Sequence, residues 1–301
     1  MPAAERRRAL YGLLGDLPAR DGELSWQRDF VRQEEGVLIE HVTLFCNGRE
    51  PVPCWFTKPA AAEGKLPVML YAHSHGGFYD TGKDELLNGQ VYMQRPGYAK
   101  ALAERGIAAL CPDAWCFGER KHNTEGELFR EMLMKGQTLW GGMVYDHLRA
   151  LDYLCTREDV DPDRIGVMGM SMGSTQAWWL AALDTRLKVC VDICCLTEYQ
   201  AAIDRKALCE HGVYYFVPGI LKHFGTADIN ALIAPRAHFG LAGTRDALTP
   251  PEGLDRIDEV LKRVYAEQKA PENWTLKRYD TPHFETPEMR RDVLAYIEAK
   301  L

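Results

Sequence analysis

The chain has 301 residues, 46% of them apolar, and a formal net charge of −7 at pH 7. That length and apolar share allow one large α/β domain or two small ones with a substantial core. The acidic balance argues against nucleic acid as a partner, because Arg6-Arg7-Arg8 is the one basic run and three charges on a helix usually form a solvated face.

No apolar stretch resembling a signal-peptide core follows those arginines, and no apolar run approaches membrane-spanning length. Secretion and membrane insertion are therefore disfavoured, and a cytoplasmic location is expected. Nine cysteines sit mostly in apolar runs such as Cys190-Val-Asp-Ile-Cys-Cys195, without a C-x-x-C or paired zinc spacing. They read as buried free thiols in a reducing compartment.

In chain order, residues 1–35 predict a charged helical extension, broken around Gly12 to Pro18. Two extended segments follow, Val37–Phe45 and Pro51–Thr57, and the prolines of the second suggest an edge position. From Pro67 onward the rhythm changes. Short apolar runs at 68–72, 107–111, 165–168, 187–193, 238–242 and 274–279 read as strands. Helical-period segments at 98–105, 144–156, 174–183, 253–268 and 287–300 separate them. Strands alternating with helices imply a mainly parallel sheet covered on both faces. The expected organisation is the extension 1–35 and a single α/β domain over 36–301. Two interruptions, 115–142 and 196–234, exceed what packing needs and are expected to overhang the active site as lid and pocket.

Gly169-Met170-Ser171-Met172-Gly173 is the most informative stretch. It is a G-x-S-x-G pentapeptide between a strand and a helix, the context in which a sharp turn presents a serine hydroxyl. The chain has only four serines (Ser25, Ser74, Ser171, Ser174), so about 0.03 chance matches are expected. A serine nucleophile needs a base, and the base needs an orienting carboxylate. Asp246 follows the run 238–242 and His283 follows the run 274–279, which places all three groups on the carboxyl rim of the sheet in the order serine, acid, histidine. Ser171 is thus expected to be the nucleophile, His283 the general base and acid, and Asp246 the group fixing the imidazole tautomer. Asp280 competes as the acid but lies close to His283 in sequence. Oxyanion donors are expected from the Met172 N–H and from the loop His73-Ser-His-Gly-Gly77, at Gly77 first and Gly76 second. His73 and His75 form an H-x-H pair without nearby acidic or thiol ligands, so they are expected to order their loop. Neither a metal nor a cofactor is expected.

These segments resemble the α/β-hydrolase superfamily, and within it the dienelactone-hydrolase-like and acetyl-xylan-esterase-like branch. The resemblance rests on residues 66–77, 112–120, 161–173, 241–250 and 282–287, and spans roughly residues 50 to 300. It implies an α/β-hydrolase fold with an eight-stranded, mostly parallel sheet and cofactor-free hydrolysis through an acyl-enzyme. Serine stands where dienelactone hydrolases have cysteine, which argues against dienelactone as substrate. The missing signal peptide argues against extracellular xylan, leaving deacetylation of short imported oligosaccharides open.

Among other residues, Trp140 and Trp115 are candidate pocket walls, whereas Trp178 and Trp179 read as core. Asp113, Glu119 and Arg120 are read as an ion-pair brace at the base of the lid. Cys194 and Cys195 are expected to be inert, and the roles of His211 and His223 stay open. The expected function is a serine carboxylesterase acting on small-molecule esters, including small acetylated compounds. A serine peptidase or amidase and a non-catalytic ligand-binding protein are the alternatives.

Overall fold

The computed structural model describes all 301 residues. Nine strands form one sheet: β1 (Ser25–Glu34), β2 (Val37–Phe45), β3 (Val52–Pro59), β4 (Leu66–Ala72), β5 (Ala108–Pro112), β6 (Val160–Met170), β7 (Val189–Ile193), β8 (Ala237–Gly243) and β9 (Trp274–Tyr279). Their spatial order is β1-β2-β3-β5-β4-β6-β7-β8-β9. The first three pairings are antiparallel and those from β5 to β9 are parallel. The helices are α1 (Ala3–Gly12), α2 (Asp84–Asn88), α3 (Tyr98–Ala103), α4 (Glu125–Met134), α5 (Leu139–Thr156), α6 (Met172–Leu183), α7 (Tyr199–Asp204), α8 (Thr226–Asn230), α9 (Pro251–Glu267) and α10 (Pro287–Lys300).

Residues alternate between the two faces of the sheet, and both faces are covered. Val68, Leu70, Ile165 and Val167 join a core with α5, α6 and α9, while Met69, Tyr71, Met168 and Val191 join a second core with α3 and α10. This double burial explains why the parallel strands read as continuous apolar runs.

Two expectations need correction. The N-terminal extension is helical only over α1; residues 25–34 form β1, a ninth strand on the sheet edge. Every β1 residue is exposed and seven of the ten are polar or charged, so no buried face marked it as a strand. A two-residue turn folds it onto β2: Glu34 pairs with Val37, and Glu35 and Gly36 have φ of 47° and 81°. Trp26 meets Tyr153 edge-on at 5.3 Å and Phe30 stacks on His41 at 5.2 Å. β3, expected at the edge, instead lies between β2 and β5. Its pairing with β5 begins at Cys54, so the missing N–H of Pro53 falls just outside that ladder.

Candidate active site

β6 ends at Met170 and α6 begins at Met172, leaving Ser171 alone on the turn with φ 59° and ψ −119°. That backbone is strained for a side-chain-bearing residue. It is held because the Ser171 N–H donates to the Ile193 carbonyl at 2.9 Å and because the turn packs against the end of β4. A Cβ at Gly169 or Gly173 would collide with the Ala72 carbonyl, so both positions require glycine for close approach.

His283 lies after β9, and its Nδ1–H donates to Asp246 Oδ2 at 2.7 Å. Asp246 is buried in the loop after β8, where its Oδ1 also accepts the Leu248 N–H at 3.0 Å. The carboxylate fixes the tautomer, which leaves a lone pair on Nε2, and that nitrogen has no partner within the protein. Asp280, the competing acid, is exposed and pairs with Arg245 at 2.8 Å. The loop bearing His283 is anchored by Glu285, which accepts from Arg290 at 2.7 Å and from the Gln94 N–H at 2.8 Å.

Ser171 and His283 open on one cleft of about 340 Å³, shared with Gly76, Tyr92, His211 and Tyr214. The loop His73–Gly77 forms one side of it. His73 is buried beneath; its Nε2 accepts the Ala114 N–H at 3.0 Å and its Nδ1–H donates to the Ser74 carbonyl at 2.9 Å. Burial pushes its pKa down to about 4, so the ring is a neutral brace. His75 Nε2–H donates to Glu125 at 3.2 Å, and its Nδ1 accepts the Gly77 N–H at 3.0 Å. The two histidines therefore order their own loop. The Gly77 amide is thereby engaged, which corrects the preference for it as an oxyanion donor. Gly76, with φ 50°, has an N–H in no intramolecular hydrogen bond, and so does Met172 at the start of α6.

Several residues beside this loop escaped the sequence reading. Glu85 on α2 is fully buried and accepts the Ser74 N–H at 3.0 Å and the Tyr71 hydroxyl at 2.8 Å. The Ser74 hydroxyl in turn contacts both Glu85 and the Tyr92 hydroxyl. Burial raises the Glu85 pKa to about 7. Tyr92 packs so tightly against Gly76 that a Cβ there would sit 2.6 Å from its hydroxyl. Glu85 and Tyr92 lie in a region with no motif, so no sequence signal marked them. The pair Tyr214-Tyr215 did offer a signal, two adjacent aromatics inside a long insertion.

The two tryptophans expected in the pocket are not there. Trp140 is buried in α5, edge-on to Trp179 at 6.2 Å and 5.6 Å behind Tyr214, which takes the wall position. Trp115 lies beneath Arg120, whose guanidinium sits 4.3 Å from its ring, and lines no part of the cleft that holds Ser171. Trp178 and Trp179 are core, as their helical setting suggested. Arg120 is structural, but its carboxylate partners are Glu50 at 2.7 Å and Asp146 at 2.8 Å; it meets Asp113 only at the backbone carbonyl, at 2.8 Å, and the carboxylates of Asp113 and Glu119 both bind Lys83. Of the two insertions, 196–234 supplies cleft residues. Segment 115–142 supplies no cleft residue and backs the site from behind, through Glu125 and Phe117 against His75 and Trp140 against Tyr214. Cys195 also lines the cleft, where burial pushes its thiol up to about 12 and leaves it unreactive. Cys194 is buried beside it, and His223 is exposed.

Comparison with known proteins gives this geometry a context. The sequence model described as acetyl xylan esterase (AXE1) matches residues 26–224. The Bacillus subtilis (strain 168) protein named "Putative hydrolase YtaP" is 45% identical over 295 residues, 98% of each chain. Among solved structures, a glucuronoyl esterase from Solibacter usitatus superposes with a TM-score of 0.73 at 17% identity, covering 98% of this chain and 92% of that one. An acetyl xylan esterase from Paenibacillus sp. R4 gives 0.69 at 20% identity, covering 99% and 93%. These structural likenesses show that the fold is the α/β-hydrolase fold. No helix is long and apolar enough to cross a membrane.

Proposed function

The chain belongs to the acetyl xylan esterase (AXE1) family and is a carboxylic ester hydrolase; on that premise we propose that Ser171, His283 and Asp246 carry the reaction and that small acetylated, hydroxylated compounds are its substrates. The observation carrying the assignment is the 2.7 Å bond from His283 Nδ1 to buried Asp246, with the unpartnered Nε2 facing the cleft onto which Ser171 opens.

In this mechanism Ser171 Oγ attacks the ester carbonyl carbon while His283 Nε2 takes its proton. Asp246 stabilises the resulting imidazolium. The N–H groups of Met172 and Gly76 receive the charge that develops on the carbonyl oxygen. Collapse of the intermediate breaks the bond to the alcohol, and His283 returns the proton to the departing alkoxide. Water then attacks the acyl-Ser171, again through His283, releasing the acid and restoring the serine.

The acetyl specificity is supported by the family and by the modest size of the cleft. All nine cysteines are unpaired, seven of them buried, which supports a reducing compartment such as the cytoplasm. The test is Ser171→Ala. It should lower p-nitrophenyl acetate turnover by about 10⁴-fold or more, with an unchanged far-UV spectrum; retained turnover in the folded variant refutes the assignment. Matched ester and anilide substrates separate an esterase from an amidase.

A further inference from the structure

The second insertion places in the cleft a polar ring, His211, whose nitrogens have nothing in the protein to bind. His211 follows a short helical turn at Leu208–Glu210 and is 8% exposed. Its ring stacks on Tyr215 with centroids 4.4 Å apart and planes inclined by 11°, which fixes the imidazole plane. Tyr215 is held in turn edge-on by Tyr199 at 5.4 Å. Neither ring nitrogen of His211 makes an intramolecular hydrogen bond, and Nε2 is fully buried. Buried polar atoms in folded proteins nearly always have a partner.

His211 is close enough to Asp246 and His283 to be influenced by their charges, yet it bonds to neither. Burial first, and the neighbouring imidazole, push its pKa down to about 4. At neutral pH it is an uncharged ring able to donate one hydrogen bond and accept another. No lysine or arginine lines the cleft to hold an anion, and Glu210, its acidic lining residue, is exposed to solvent; an alcohol hydroxyl, itself donor and acceptor, matches the neutral ring. Position completes the argument. His283 must hand its proton to the departing alkoxide, so a group beside His283 sits beside the alcohol half of the ester.

We infer that His211 is a specificity-determining residue that hydrogen-bonds a hydroxyl of the alcohol half, next to the ester oxygen, and so selects esters of polyhydroxylated alcohols. The inference rests on the Ser171 reading of the site. It assigns His211 no part in proton transfer.

Two esters of similar size test it: glycerol 1-acetate, whose alcohol keeps two free hydroxyls, and n-propyl acetate, whose alcohol has none. Acid release is followed by pH-stat at pH 7.5 for the wild type, His211→Phe, His211→Asn and Ser171→Ala. Phenylalanine keeps the stack on Tyr215 and removes both nitrogens. Wild type should favour the glycerol ester in kcat/KM by about 10-fold or more, the size of one hydrogen bond at a buried polar group. His211→Phe should lose about 10- to 100-fold on the glycerol ester and stay within about threefold on propyl acetate. His211→Asn should recover part of the loss. A wild type that does not discriminate, a preference unchanged in His211→Phe, or an equal fall on both esters each overturns the inference, the last by showing a merely structural role. Ser171→Ala should be inactive on both esters. If it is active, the nucleophile assignment fails; if it is inactive and the preference is unchanged in His211→Phe, only the role of His211 fails.

Discussion

The two long insertions are alike in sequence and different in use. Both leave the carboxyl rim of the sheet, at β5 and at β7, and both contain aromatic and charged residues. The second turns His211 and Tyr214 into the cleft beside Ser171. The first turns inward: Trp115 is buried, Arg120 is locked between Glu50 and Asp146, and Glu125 reaches the site only through His75. The length of an insertion shows that it needs a reason. Which face it presents depends on what it packs against. Here a buried ion-pair cluster holds the first insertion down as a buttress, while stacked aromatic rings hold the second upright as a wall.

The largest effect should come from the rim that both insertions flank. Asp246→Asn should lower kcat on p-nitrophenyl acetate by about 10⁴-fold, since the amide disfavours the tautomer that keeps Nε2 basic. Asp280→Asn, three residues from the same histidine, should stay within about twofold. A reversal of the two outcomes would move the acid.

Next in size, Arg120→Met should destabilise the fold by about 3–5 kcal/mol, because it leaves Glu50 and Asp146 without their buried cation. The folded fraction should keep its turnover within about threefold. Denaturant melts read beside active-site-titrated rates check both halves. A variant with normal stability and impaired turnover would make the first insertion part of the cleft after all.

Smaller again is the effect of pH on stability. Burial lowers the pKa of His73 to about 4, of His147 to about 3 and of His211 to about 4. The unfolded chain, with histidines near 6.5, binds more protons than the native state below that pH. Their contribution is therefore fully present above about pH 6.5 and is lost as pH falls toward 4. Glu85, raised to about 7 by burial, acts in the opposite sense between its ordinary 4.5 and 7. The buried Asp113, Asp146 and Asp192, also raised by burial, act in the same sense as Glu85, so the histidines are read by difference: each should contribute roughly 1.4 kcal/mol per pH unit to a loss of stability as pH falls from about 6.5 toward 4. His211→Phe should flatten part of that slope. A slope unchanged in this variant would mean that the wall histidine is not held neutral.

Much of the proposed site is legible in the sequence. The G-x-S-x-G turn, Asp246 and His283 each follow a recognisable apolar run, and a chain in which strands and helices alternate puts those run ends on one rim. β2 and β9 match their expected bounds for the same reason, as alternation and buried runs are local signals. β1 was hidden because an edge strand with no buried residue has no hydrophobic period. Trp140 was misjudged because the adjacent Gly141-Gly142 looked like a loop. Instead α5 begins at Leu139, capped by the Thr138 hydroxyl accepting the Gly141 N–H at 2.9 Å, and it turns the indole into the core. The preference for Gly77 over Gly76 has no local basis, since both take a positive φ; the bond to His75 Nδ1 separates them.

The sequence by itself determined the order of the chemistry. Backbone periodicity and a strained glycine-flanked turn are written in neighbouring residues, and topology carries them to one edge of the sheet. Only the tertiary structure decided what surrounds that edge: which glycine N–H is free, that Glu85 and Tyr92 clamp the loop His73–Gly77, and that His211 rather than a tryptophan lines the cleft. Those outcomes depend on contacts between segments tens to hundreds of residues apart, which local propensity does not encode and packing alone selects.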